Sequence, residues 1–294
     1  MARALHEAGR PVRVYARWGE GDGVVPFTRL WGRSWNRVGH HFTAWQVRPR
    51  LRSGDTVLAS TWPLAAALPA GLSPLVAWHG SDLTRPAAIA GRERVRDGAR
   101  NLVVSRFLGE RLGAAATWLP FPIEPMTPVV RGEALLSVAR LVKSKGVDRV
   151  LRLGARLGRP VVVVGEGPER GALEALAATL PVPVSFLGAT REVPWAGTWA
   201  LALLSRPHEE GGGEEGLGLV LLEAAARGIP TLGSAVGGIP EAASVVLADP
   251  DSDAVPTLPG ASEVQDWLRR THGTERFLEA WERAQSLAPE IQVE

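Results

Sequence analysis

The chain has 294 residues, enough for two ordinary domains each with its own core. It contains no cysteine, which excludes disulfide bracing and thiolate chemistry, and no stretch approaching the about 18 apolar residues of a membrane span. Its net charge of +2 is unevenly spread: residues 1–130 carry 17 Arg against 9 acidic residues, whereas residues 131–294 carry 16 Lys plus Arg against 22. A basic first half suggests an anionic partner, a lipid surface or a phosphorylated acceptor, with drift in composition as the plain alternative. The opening residues lack the apolar core of a signal peptide, so a cytoplasmic setting, peripheral on the inner membrane face, is expected. No nucleic-acid partner is expected.

In chain order, residues 2–8 read as the end of a helix, Gly9 as its stop and 11–16 as a strand. Residues 17–52 read as irregular, with Trp18, Trp31, Trp35 and Trp45 set among arginines and a basic cluster at Arg48, Arg50 and Arg52. Strands at 56–59, 74–78, 101–104 and 115–119 then alternate with helices at 63–68 and 105–112. Such alternation with short loops predicts a parallel sheet flanked by helices, which binds ligands at the carboxyl ends of its strands. Four prolines in residues 120–128 have linker composition and mark the domain boundary.

The second half repeats the alternation. Strands are predicted at 134–138, 161–164, 184–187, 199–204, 229–232 and 244–247, with helices at 147–157 and 169–180 and one or two terminal helices. Gly165 and Gly167 form a strand-to-helix turn, a weak ligand signal by itself. Of the 33 basic residues only Lys143 and Lys145 are lysines, two residues apart, which points to point charges for phosphate.

The organising stretch is 214–230. It opens with a Gly/Glu-rich loop, continues in helix formers predicted over 217–227, and stops at Gly228 with Pro230 beyond. Glu215 stands at its junction and Glu223 inside it; eight helical rises would separate them by roughly 12 Å. That is about the span of a nucleotide-sugar, with helix N–H groups between them to take phosphate. Read alone, the run is more simply an amphipathic helix with two solvated glutamates.

Glu215-Gly-Leu-Gly-Leu-Val-Leu-Leu-Glu223-Ala, followed by Gly228-Ile-Pro-Thr-Leu and Gly237-Gly-Ile-Pro-Glu241, resembles the Glu-x7-Glu signature of the family-four retaining glycosyltransferases. The resemblance extends over most of the chain. It implies an α/β architecture of the GT-B type, two Rossmann-like domains facing a cleft. The expected divisions are an acceptor-side domain at 1–124, a nucleotide-sugar domain at 131–260, and helices at 261–294, the last crossing back to the first domain. Arg140 to Gly146 resembles the family's Arg-Leu-x3-Lys-Gly segment, which implies that Arg140 and Lys145 hold the donor diphosphate. His79-Gly-Ser-Asp82 resembles the loop pointed at the donor sugar. His79 therefore joins Arg140, Lys145 and Glu215 as a catalytic candidate. Glu223, Gly216, Leu217, Gly218, Leu219, Arg206 and Gly188 form the expected nucleotide-sugar-binding set.

The implied reaction is transfer of a sugar, with retention, from a nucleotide-diphosphate donor to a glycan or lipid-linked acceptor. Neither metal nor cofactor is implied beyond the donor itself. The Arg206 to Gly218 loop, with Gly211-Gly-Gly213, looks like that of lipid-directed mannosyltransferases that use GDP-mannose. The alternatives are a catalytically silent nucleotide-sugar-binding subunit and a sugar-nucleotide epimerase on the same fold. One departure stands out: Met1 to Tyr15 matches the end of the family's first helix and its second strand. The first domain is thus expected to lack its usual first strand and Gly-rich loop, and a start codon further upstream is the favoured explanation.

Overall fold

The computed structural model describes residues 1–16, 25–30, 43–52, 55–68, 74–78, 89–207, 215–252 and 256–286, and it divides into two units. Unit 1 comprises Met1–Pro122 and Thr274–Glu294; unit 2 is Ile123–Gly273.

Unit 1 opens with α1 (Ala2–Glu7), β1 (Val14–Ala16) and β2 (Phe27–Arg29), the two strands pairing in parallel. β2 falls in the stretch read as irregular from sequence. Its Phe-Thr-Arg is too short to show a period, so only the pairing reveals it. β3 (Leu58–Ala59), α2 (Trp62–Ala67), β4 (Leu75–Trp78), α3 (Ile89–Gly98), β5 (Arg100–Val103), α4 (Arg106–Leu112) and β6 (Ala116–Trp118) follow. Among the described residues these strands form a separate parallel sheet in the order β3-β4-β5-β6. Ser105 caps α4 by accepting a hydrogen bond from the Leu108 amide at 3.2 Å, and Gly113, at φ 65°, ends it. Adjacent residues of β4 serve opposite faces, as the strand period of two demands: Leu75 joins Leu102 and Leu119, while Val76 joins Trp78, Val103 and Leu108.

Unit 2 contains β7 (Ala134–Val138), α5 (Val147–Arg156), β8 (Val161–Val164), α6 (Arg170–Ala177), β9 (Val184–Phe186) and β10 (Thr198–Leu203). It continues through α7 (Leu219–Ala226), β11 (Thr231–Ser234), α8 (Ile239–Ala242), β12 (Val245–Leu247) and α9 (Ala261–His272). All six strands are parallel, in the order β12-β11-β10-β7-β8-β9. The uninterrupted valines of β8 suit a strand covered on both faces, and Val161 and Val163 lie in a core with Leu135, Val150, Leu151 and Ala202.

The proline-rich stretch is no loose linker. Ile123 N–H donates to His272 O (3.1 Å), Met126 N–H to Ala226 O (2.7 Å) and Val129 N–H to Arg227 O (3.1 Å). Unit 2 therefore begins at Ile123 rather than at 131. Prolines lack a donor, but their neighbours keep theirs, and those bind the ends of α7 and α9. α9 also belongs to unit 2: Gln265 Nε2 donates to Met126 O (2.8 Å) and Ala226 O (2.9 Å). The final helix, α10 (Thr274–Ser286), belongs to unit 1, where Phe277, Ala280, Trp281 and Ala284 pack with Ala4, Leu5 and Leu75.

Candidate functional site

In unit 2 the chain runs outward from β7 through β8 to β9, then returns to β10 on the other side of β7 and runs outward again. The loops leaving the carboxyl ends of β7 and β10 therefore diverge, and a doubly wound sheet binds ligands in the crevice so formed. These loops carry Arg140, Lys143 and Lys145 on one side and Arg206 and Glu215 on the other.

The β7 loop is built into its neighbours. Ala139 N–H donates to Val164 O (3.0 Å), Leu141 N–H to Glu166 O (2.9 Å), and Leu141 O accepts from Glu169 N–H (3.0 Å). Leu141 is fully buried beneath it. A Cβ on Gly165 or Gly167 would lie 1.9 Å from Ala139 O or 2.3 Å from Leu141 O. The Gly-x-Gly pair thus lets two loop backbones touch. Beyond Leu141, Lys143–Lys145 form a 3₁₀ turn ended by Gly146 at φ 62°, the residue from which α5 starts.

Across the crevice, Arg206 grips that turn twice. Its backbone N–H donates to Ser144 O (2.8 Å), and its guanidinium donates to Lys143 O (3.1 Å) and to both Asp148 oxygens (2.7 and 2.6 Å). Burial alone would raise the Asp148 carboxyl; the hydrogen bonds and charge of Arg206, joined by Arg152, outweigh it and hold Asp148 below its ordinary range. Arg206 is shifted upward, first by its hydrogen bond to Asp148. Its guanidinium is thus engaged in the fold, unlike that of Arg140, which is exposed and has no hydrogen-bond or ion-pair partner among the described residues.

Glu215 is brought directly to Lys145: the ammonium Nζ donates to Oε2, with side chains 26% and 17% exposed. Its backbone is fixed by Gly238 N–H, which donates to Glu215 O at 2.8 Å. A Cβ at Gly238 would sit 2.1 Å from Gly216 O, so the Gly237-Gly238 turn is a cradle for the 215–218 loop.

The helix predicted from Leu217 starts two residues later. Gly218, at φ 86°, turns the chain into α7, and Glu215 to Gly218 are not helical. Leucine is a good helix former, but the left-handed glycine between Leu217 and Leu219 breaks the run. The helical-rise estimate of the Glu215–Glu223 span therefore does not apply. No side chain caps the start of α7, which leaves the Gly216 to Leu219 stretch leading into a helix N-terminus suited to an anion. Glu223 is exposed on a helix whose Leu221, Leu222, Ala224, Ala225 and Ala226 are buried. The stop at Gly228 is present, at φ 72°.

Gly188 lies beyond β9, away from the β7–β10 reversal, and its carbonyl accepts from Gly165 N–H at 2.8 Å. His79 and residues 208–214 lie outside the described residues, as do Trp18, Trp31 and Trp35. Asp148 and Ser234 escaped the sequence reading. Ser234 Oγ donates to Ser205 O at 2.8 Å and fixes the exit from β10. An acid in the first turn of a helix is so common that only the partner across the crevice distinguishes Asp148. Among the described residues no group of three or more His, Asp or Glu could hold a metal ion.

Residues 128–245 match the protein family described as Glycosyl transferases group 1. A 103-residue stretch is 34% identical to the GDP-mannose-dependent monoacylated α-(1-6)-phosphatidylinositol monomannoside mannosyltransferase of Corynebacterium glutamicum, covering 32% of this chain and 27% of that protein. The chain therefore spans only about a quarter of that relative's length in the matched region. The fold is similar to that of AviGT4, a glycosyltransferase of avilamycin A biosynthesis, with a TM-score of 0.73, 22% identity, and coverage of 97% of this chain and 87% of the other. It is also similar to Anabaena HepE, solved with UDP and glucose, at a TM-score of 0.61 and 15% identity, covering 90% and 87%. The architecture is α/β with parallel sheets, and its structural neighbours include glycosyltransferases of the GT-B type, AviGT4 among them.

Proposed function

We propose that the chain transfers a sugar, with retention and without a metal, from a nucleotide-diphosphate donor to a hydroxyl of a glycan or lipid-linked acceptor. One observation carries the reading: Arg140, Lys145, Glu215 and the start of α7 collect on the loops where the unit 2 sheet reverses. When the bond between anomeric carbon and diphosphate breaks, the sugar becomes oxocarbenium-like and negative charge grows on the leaving group. Fixed positive potential there lowers the barrier, and one preorganised donor is typically worth about 3 kcal/mol, near 10²-fold in rate. Arg140, Lys145 and the helix start supply that potential. Glu215 takes sugar hydroxyls, and Glu223, exposed on α7, takes the ribose. The leaving phosphate draws the acceptor proton, so no separate nucleophile is required. GDP-mannose is the proposed donor, supported by the Corynebacterium relative.

The acceptor side is proposed to work at an anionic membrane surface. Trp45 is 68% exposed, and Arg48, Arg50 and Arg52 beside it are exposed as well, a pairing suited to a headgroup layer. No helix of the described residues is long and apolar enough to cross a membrane.

The test is incubation of the full chain with GDP-mannose and a membrane lipid extract, followed by product isolation and assignment of the anomeric configuration. A mannosylated lipid with the donor's configuration is expected. Release of free mannose alone, or conversion of the donor into another sugar nucleotide, would contradict transfer; the second outcome would establish an epimerase.

A further inference from the structure

We infer that Glu215 makes this site discriminate between an intact nucleotide-sugar and the bare nucleoside diphosphate left after transfer, by competing with diphosphate for Lys145. The inference rests on the donor-binding reading above.

Both backbones beneath the Lys145–Glu215 pair are fastened. The Lys143–Lys145 turn is held by Lys145 N–H to Val142 O (3.0 Å), Arg206 N–H to Ser144 O (2.8 Å) and the Arg206 guanidinium to Lys143 O (3.1 Å). Glu215 is held by Gly238 N–H on its carbonyl (2.8 Å). Rearrangement at the pair is thus confined to the two side chains. A diphosphate that engages Lys145 competes for its ammonium with the Glu215 carboxylate, whose side chain is only 17% exposed. A carboxylate in so enclosed a position that loses its hydrogen-bond donor carries a desolvation penalty unless another donor replaces it. A hexose brings several hydroxyls on the far side of the diphosphate and can take the displaced carboxylate. A nucleoside diphosphate brings none there. The pair therefore re-forms against the product, which favours its departure, and yields to the donor.

The experiment measures dissociation constants by calorimetry for GDP, GDP-mannose, UDP and UDP-glucose with the wild-type chain, Glu215→Gln, Glu215→Ala, Lys145→Ala and Lys145→Ala/Glu215→Gln. The expected result is that both Glu215 variants bind the nucleoside diphosphate roughly tenfold more tightly than wild type while binding the nucleotide-sugar no better, a change equivalent to losing one such penalty. Lys145→Ala should weaken both ligands, and adding Glu215→Gln to it should leave nucleoside diphosphate binding unchanged, since no ammonium remains to compete for. A structural role for Glu215 would lower affinity for both ligands and tighten neither. Unchanged or weaker nucleoside diphosphate binding in both Glu215 variants overturns this inference alone. A wild-type chain that binds none of the four ligands overturns the donor reading, and this inference with it.

Discussion

Arg206 and Asp148 form a two-pronged ion pair, at 2.7 and 2.6 Å, that joins the loop leaving β10 to the first turn of α5. Sequence alone placed Arg206 among the donor's ligands. In the structure it is a brace for the turn that carries Lys143 and Lys145. Arg206→Lys keeps the charge but loses the fork, so turnover should fall about tenfold with a stability loss of about 1 kcal/mol, the pair being about a third exposed. Asp148→Asn should behave alike. Steady-state kinetics beside chemical denaturation check this; wild-type turnover in both variants would show that the brace has no bearing on the site.

How much of this was legible in the sequence depended on the kind of signal. The strands and helices of unit 2 follow from apolar runs such as Val161 to Val164 and from stops such as Gly228, because those signals are local. The gathering of Arg140, Lys145 and Glu215 was legible only through resemblance, since residues 70 positions apart meet through the order of strands. The start of α7 was misread because a single glycine costs a helix only about 1 kcal/mol, so propensity does not tell a tolerated Gly218 from one in a left-handed turn. Asp148 and the Gly238 cradle were not legible, because each acts through a partner distant in the chain.

The cradle can be tested by adding one methyl group. Gly238→Ala directs a Cβ to within 2.1 Å of Gly216 O and should displace the 215–218 loop, weakening donor binding more than tenfold. Gly158→Ala is the control. It has φ 61° and no atom within 4 Å of its added Cβ, so it should cost about 1 kcal/mol of strain and leave donor affinity unchanged. Equal donor affinities in the two variants would mean that the loop does not need its cradle.

His272 gives the fold a dependence on acid. Burial lowers its pKa from the ordinary 6.5, opposed in part by its hydrogen bond to Glu241 O at 3.0 Å. With the folded value depressed, the unfolded chain binds more protons just below pH 6.5, and stability falls as pH drops through that window towards the folded value. Above pH 6.5 the contribution is complete. In urea denaturation at stepped pH, His272→Gln should lack this component of the acid loss. A variant with the wild-type slope in the window just below pH 6.5 would assign the loss to carboxylates instead.

The basic first half should favour anionic surfaces. Vesicles containing phosphatidylglycerol are expected to float more of the chain than neutral ones, with the difference lost in high salt, because exposed charges are screened within about 10 Å at 0.1 M. Trp45→Ala should weaken flotation further, its ring being 68% exposed. Equal flotation with both vesicle types would remove the membrane from the proposal.

The loops of the unit 2 sheet reversal are proposed to grip a nucleotide-sugar, and thermal shift with GDP-, UDP- and ADP-sugars tests this most directly. A ligand present at 100 times its Kd adds about 2.7 kcal/mol, which is ample to read as a rise in Tm. The expected result is stabilisation by GDP-mannose above the other donors, reduced in both Lys145→Ala and Glu223→Ala. No stabilisation by any nucleotide-sugar, or the same stabilisation in all three proteins, would contradict it.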